Sequence, residues 1–228
     1  MEQQEENYGN YRRTLNLNEA MAAVEYTAGG TACRREYLVS HPDNVLALRF
    51  SARERGKISF SLHFDCPQLH ETEAKTEDNR GFLRISGTLA NNGLRHETRL
   101  ALLPEGGKVT AEGERLTVTG ADNALILLTA ATDYQNTFSA HGVDYWYRTG
   151  ETARQLGQRV EQTLAAAVKK GWDAIKQDHL QDYQALFGQV QLNLGQKVPA
   201  VCTDDLLRAY RSGSATEEEK RYLEVLLW

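Results

Sequence analysis

The hydrophobic pattern of this chain changes period once, and that change limits what it can fold into. From Tyr11 to about Ala131 apolar residues recur at every second position; from Thr152 onward they recur at intervals of three and four. The clearest alternation is residues 58–65 (ISFSLHFD). Ile58, Phe60, Leu62 and Phe64 share one side, and Ser59, Ser61, His63 and Asp65 share the other, which predicts a strand with one wet face. Further strands are expected at 45–51, 82–89, 94–103, 108–111, 115–119 and 124–129. Asn91-Asn92-Gly93 and Glu105-Gly106-Gly107 supply turn residues between them. Short strands at regular spacing, with no helical segments between them and no internal repeat, predict an antiparallel β-sandwich rather than βαβ units.

Gly29-Gly30 divides two runs rich in Tyr, Val and Thr, and both turn positions tolerate positive φ. A two-residue hairpin there sets Ala28 opposite Thr31. Counting outward, Tyr26 faces Cys33, Glu25 faces Arg34, Val24 faces Arg35 and Ala22 faces Tyr37, with Glu25 and Arg34 as an opposite-charge pair.

In the helical part, Thr152 and Gln155 form a capping box before Leu156, Val160, Leu164 and Val168. Lys169 and Lys170 suit the negative end of that helix. Gly171 bends it, and a second stripe continues through Trp172, Ile175, His179, Tyr183 and Leu186. Residues 190–194 (VQLNL) alternate like a short strand. Thr203, Asp204 and Asp205 cap a helix through Tyr210 that stops at Gly213. Thr216 and Glu219 open another, whose Tyr222, Leu223, Leu226, Leu227 and Trp228 form an apolar face still uncovered at the last residue.

Composition removes several function classes. With 228 residues the chain can bury a core without staples. Lys plus Arg total 26 against 31 Asp plus Glu, a net charge of −5 that does not attract phosphate backbones, so no nucleic-acid partner is expected. The longest apolar runs, such as residues 124–128, fall far short of the roughly 20 residues a membrane-spanning helix needs, so no membrane partner is expected either. Residues 1–10 (MEQQEENYGN) lack the basic start and apolar centre of a secretory signal, and the compartment stays open. Cys33, Cys66 and Cys202 are too few and too scattered for a disulfide framework or a thiolate metal site.

Few residues suggest chemistry. His63, Asp65, Cys66, His70 and Glu71 are ligand types, but their spacing fits no known set, so no metal and no other cofactor is expected. Asp204, Asp205 and Glu217 to Glu219 each open a helix, where carboxylates complement the dipole without any substrate. No GxSxG is present. The segment 134–147, read as a loop, is different: Tyr134, Phe138, His141, Tyr145, Trp146 and Tyr147 could stack on a sugar while Asp133, Gln135, Asn136 and Asp144 bind hydroxyls. Tyr134, His141, Tyr145 and Trp146 are the candidate substrate-binding residues. Packing of the same rings against a neighbouring domain is the competing role and the weightier one.

Three stretches resemble the family 95 glycoside hydrolases, typified by α-L-fucosidases. Residues 11–52 carry Arg35-Glu36-Tyr37 and His41-Pro42-Asp43 in that family's order; residues 125–136 (LILLTAATDYQN) are similar to its closing sandwich strand; and residues 179–195 with 203–213 are similar to its linker and first barrel helices. The resemblance implies an N-terminal β-sandwich at 1–148, a helical linker at 149–195 and the first helices of an (α/α)6 barrel at 196–228. It further implies inverting hydrolysis by carboxylates of the barrel, and no position here matches them. The chain thus looks like an internal fragment whose partner is the missing barrel of the same polypeptide, reaching a glycan only through the complete enzyme, inactive alone and prone to self-association. The parent enzyme is expected to be periplasmic or secreted. A free-standing sandwich that binds carbohydrate or protein is the alternative.

Overall fold

A computed structural model describes the backbone of residues 8–138 and 144–226 and the side chains of 8–135 and 149–226. Nine strands, β1 Tyr8–Asn16, β2 Met21–Ala28, β3 Thr31–Ser40, β4 Val45–Ala52, β5 Ile58–Leu62, β6 His70–Glu77, β7 Arg80–Thr88, β8 Arg95–Glu112 and β9 Arg115–Thr132, form one antiparallel sheet. Its order is β1-β2-β3-β4-β9-β8-β7-β6, with β5 paired to the first half of β9. Strands β10 Tyr134–Phe138 and β11 Asp144–Arg148 form a separate two-stranded sheet. Helices α1 Ala153–Phe187, α2 Thr203–Ser212 and α3 Glu217–Leu226 complete the chain. The expected architecture, a β-sandwich followed by helices, is present.

The β2–β3 register is the one derived from Gly29-Gly30, from Ala28 opposite Thr31 to Ala22 opposite Tyr37. Arg34 Nη1 donates to Glu25 Oε1 at 2.6 Å across it. The turn expected at Glu105-Gly106-Gly107 does not form. The segments 94–103 and 108–111 are one continuous strand, β8, and 115–119 with 124–129 are one strand, β9; the ladder slips register between Glu105 and Gly106. Gly107 has φ +62°, and a Cβ on it would lie 2.5 Å from Ala121 N and Thr119 O. These glycines bend a strand pair instead of reversing a chain. The far halves of β8 and β9, with β5, fold back over the sheet. Leu116 and Val109 then pack above Gly81 of β7, in one core with Phe50, Phe60, Leu83, Leu100, Leu102 and Ile126. Strands β8 and β9 therefore contribute to both layers of the sandwich.

The opposite face of the sheet is covered by α1. Leu164, Ala167, Trp172 and Ile175 bury against Met21, Leu38, Val45, Ala47, Ala101 and Leu127. The capping box forms in full: Gln155 N donates to Thr152 Oγ1, and Gln155 Oε1 accepts from Thr152 N and Oγ1. The helix kinks at Gly171 (φ 75°, ψ 173°) as the pattern predicts. Beyond the kink, His179 Nε2 contacts Glu19 O at 2.8 Å and the Tyr183 hydroxyl donates to Leu17 O at 2.6 Å, so helix and β1–β2 turn hold each other.

Other expectations need correction. The strand expected over 58–65 ends at Leu62. Strand β6 has no counterpart among the expected strands: as an edge strand with one wet face, HETEAKTE carries only His, Glu, Lys, Thr and Ala, and only Ala74 packs on the core. The segment 190–194 is no strand; it has no pairing partner and runs irregularly. Cys202, not Thr203, is the N-cap of α2, without a side-chain cap bond.

The chain divides into two compact units, Met1–Gln184 and Ala185–Trp228. The second unit buries Leu206, Ala215 and Leu223. Gly213 caps α2 in the left-handed region, and Thr216 with Glu219 form the expected capping box of α3. Leu227 and Trp228 lie outside the described residues.

Candidate functional site

The aromatic segment after β9 is a hairpin rather than a loop. Its register sets Tyr134 opposite Arg148, Asn136 opposite Trp146 and Thr137 opposite Tyr145. With a period of two, Tyr134 and Trp146 hold positions of one parity and Tyr145 of the other, so the candidate residues do not form a single row. Tyr134 is exposed. His141 lies outside the described residues, as do the side chains of Phe138, Tyr145, Trp146 and Tyr147.

The root of this hairpin is a polar cluster. Asp133, read from the sequence as a hydroxyl binder, is fully buried. Its Oδ1 accepts from Arg95 N at 2.8 Å and its Oδ2 from Arg95 Nη1 at 3.2 Å. Its carbonyl accepts from Thr149 N at 2.8 Å, closing the two ends of the hairpin on each other. Arg95 Nη1 also donates to Glu151 O at 3.0 Å. Arg159 of α1 donates through Nε and Nη2 to the Glu151 carboxylate at 2.9 and 2.8 Å, and through Nη2 to Thr132 O at 3.1 Å. These bonds hold the Glu151 carboxyl below its ordinary pKa and raise that of Arg159. Sequence reading missed Arg95, Glu151 and Arg159. The available signal was an acid and a base eight residues apart across a helix start, which is weak on its own.

The motif residues near the N-terminus make packing and ion-pair contacts. Arg35 lies over the rings of Tyr26 and Phe50, 4.9 and 5.4 Å from their centroids, and Tyr37 meets Phe50 edge-on. Asp43 accepts from Ser40 Oγ at 2.6 Å and pairs with Lys170 of α1, which also holds Asp178 at 2.5 Å. His41 contacts Asp182 at 3.2 Å. These contacts tie the β3–β4 turn to α1.

Grooves flank the sheet among the described residues. One of about 680 Å³ is lined by Tyr8, Tyr11, Tyr26 and Tyr37 with Arg13 and Arg35. Another, about 740 Å³, lies between α1 and β6–β8, with Phe82, Leu164 and Val168 among Arg84, Arg99 and Glu161. Among the described residues no three or more His, Cys, Asp or Glu side chains are grouped to hold a metal ion. His63 and Asp65 are exposed, and His70 Nδ1 contacts Gln68 O at 2.6 Å. Among the described residues no helix is long and apolar enough to cross a membrane.

Residues 1–137 match the family model of the glycosyl hydrolase family 65 N-terminal domain. The chain is 29% identical to α-L-fucosidase 2 of Arabidopsis thaliana over 95% of its own length and 27% of the relative's. It is 27% identical to a probable α-fucosidase A of Aspergillus niger over 81% of its length and 23% of the relative's. The chain thus spans about a quarter of the curated relatives it matches. A solved structure from the human microbiome, designated a kojibiose phosphorylase, superposes with a TM-score of 0.55 at 11% identity, covering 80% of this chain and 25% of that one, a likeness of fold.

Proposed function

The chain belongs to the glycosyl hydrolase family 65 N-terminal domain family, and from that premise we propose that it serves as the supporting β-sandwich and linker of an α-L-fucosidase-type glycoside hydrolase of the family 95 kind. The observation that carries this reading is the reach of the fucosidase similarity. It runs over 95% of the chain, past the 137 residues of the family match and into the helices. In this reading the catalytic carboxylates belong to an (α/α)6 barrel of the same polypeptide. The domain's part is mechanical: α1 fixes the sandwich to the barrel, and the 134–148 hairpin, with Tyr134, His141, Tyr145 and Trp146, walls one side of the substrate cleft. No cofactor takes part. Glycan is met only through the complete enzyme.

The test compares the 228-residue chain with the longer polypeptide encoded by its surrounding reading frame, both on 4-nitrophenyl α-L-fucoside. The longer protein hydrolyses it and the chain alone does not; turnover by the chain alone overturns the reading. A second reading, a sandwich that binds carbohydrate or protein unaided, is favoured by the tyrosine- and arginine-lined groove over β1–β3. Binding of a fucosylated oligosaccharide by the isolated chain, abolished by Tyr11→Ala, would select it.

A further inference from the structure

A two-stranded hairpin is marginal by itself in water, and this one pairs with no strand of the main sheet, so the ladder does not set its direction. What sets it is the cluster at its root. Asp133 and Thr149 bracket the hairpin and are joined by the bond from Thr149 N to Asp133 O. The entering residue is anchored to β8 through three contacts with Arg95, and the departing strand is anchored to α1 through Glu151 and Arg159. Arg159 also grips Thr132 O, so one helix side chain holds the segments before and after the hairpin. A fully buried carboxylate is an unfavourable way merely to end a strand, because an apolar residue of similar volume avoids the desolvation. Its bonds to both the backbone and the side chain of Arg95 fix a direction, which an apolar residue would not.

Building on the reading that the hairpin walls the substrate cleft, we propose that Asp133 and Arg159 are positioning residues: they fix the angle at which the β10–β11 pair leaves the sandwich, and through it the affinity for substrate. They act through the hairpin and do not meet the reacting atoms. The helix thereby becomes part of the cleft's geometry, although it supplies no residue to it.

The test has two readouts on Asp133→Asn and Arg159→Gln. In the 228-residue chain, amide hydrogen exchange at 134–138 and 144–148 rises by about tenfold or more while the β4–β9 ladder keeps its protection. In the longer polypeptide, KM for the fucoside rises by about tenfold with kcat within about twofold. Unchanged hairpin exchange in both variants overturns the proposal, and so does raised exchange with an unaltered KM. Should Asp133→Asn fail to fold, Arg159→Gln decides, since its side chain is 45% exposed and its loss leaves the core intact. If the longer polypeptide shows no fucosidase activity at all, it is the functional reading that fails. The exchange measurement then still decides whether the clamp holds the hairpin.

Discussion

At the scale of single residues, Glu97 carries the most consequence. It is 2% exposed, with Arg99 Nε at 2.6 Å and Arg84 Nε and Nη2 at 3.2 Å. Gly157 of α1 sits against the same carboxylate: a Cβ there would lie 2.9 Å from Oε2 and 3.2 Å from Oε1. The two arginines pin the carboxylate, so Gly157→Ala pushes helix and sheet apart, and we expect it to lower stability by about 1–3 kcal/mol. Glu97→Ala removes the carboxylate shared by Arg84 and Arg99, of which Arg99 keeps Glu161 at 3.1 Å, and costs about 1–3 kcal/mol. In the Glu97→Ala background the clash is gone, and Gly157→Ala becomes stabilising by up to about 1 kcal/mol through helix propensity. Urea unfolding of the four proteins reads this reversal of sign; a Gly157→Ala effect of the same sign in both backgrounds contradicts it. Glu151 supplies a pH dependence. Its folded pKa lies below the ordinary value because Arg159 hydrogen-bonds its charged form. That stabilisation is therefore fully present above the unfolded pKa of about 4.3 and is lost as pH falls through the depressed folded value. The urea-midpoint difference between the wild type and Arg159→Gln should be flat above about pH 5.5 and shrink on further acidification. A difference that widens in acid contradicts the assignment.

At the scale of elements, legibility in the sequence depends on whether a local signal determines the outcome. The β2–β3 register was readable because two glycines fix a two-residue turn, and one slip would invert every side chain. The two capping boxes were readable for the same reason: each is closed within four residues. Glu105-Gly106-Gly107 has turn composition but bends a strand, since its role is decided by β9, whose Thr119 and Ala121 backbone leaves no room for a side chain at Gly107. Replacing Gly107 by Val combines that clash with a left-handed φ and should lower stability by more than about 3 kcal/mol, measured by thermal unfolding. A loss under about 1 kcal/mol would show that the bend is set elsewhere. The aromatic segment showed its rings but hid its hairpin, because its apolar and polar residues do not alternate. Its polar root was hidden too, since Arg95, Asp133, Glu151 and Arg159 are brought together only by the fold.

At the scale of the whole molecule, the second unit leaves large apolar side chains in water by itself, with Val198 81% and Leu186 72% exposed. In the proposed reading the rest of the enzyme covers these side chains, so the 228-residue chain alone should self-associate at micromolar concentration, which light scattering reads directly. A clean monomer with a cooperative melt contradicts that. The sandwich architecture and its helical sequel were legible in the single change of hydrophobic period. The chemistry was not: in the function proposed above, the described residues serve as frame and mount rather than as reacting groups. The family match is to the glycosyl hydrolase family 65 N-terminal domain and the curated relatives are α-fucosidases, while the solved structure shares the fold alone. The decisive measurement is product analysis of the longer polypeptide with fucosylated and α-glucosyl disaccharides, with and without inorganic phosphate. Our account predicts free L-fucose at a rate independent of phosphate. Phosphate-dependent formation of a sugar 1-phosphate from the glucosyl substrate, with no fucose released, would contradict it.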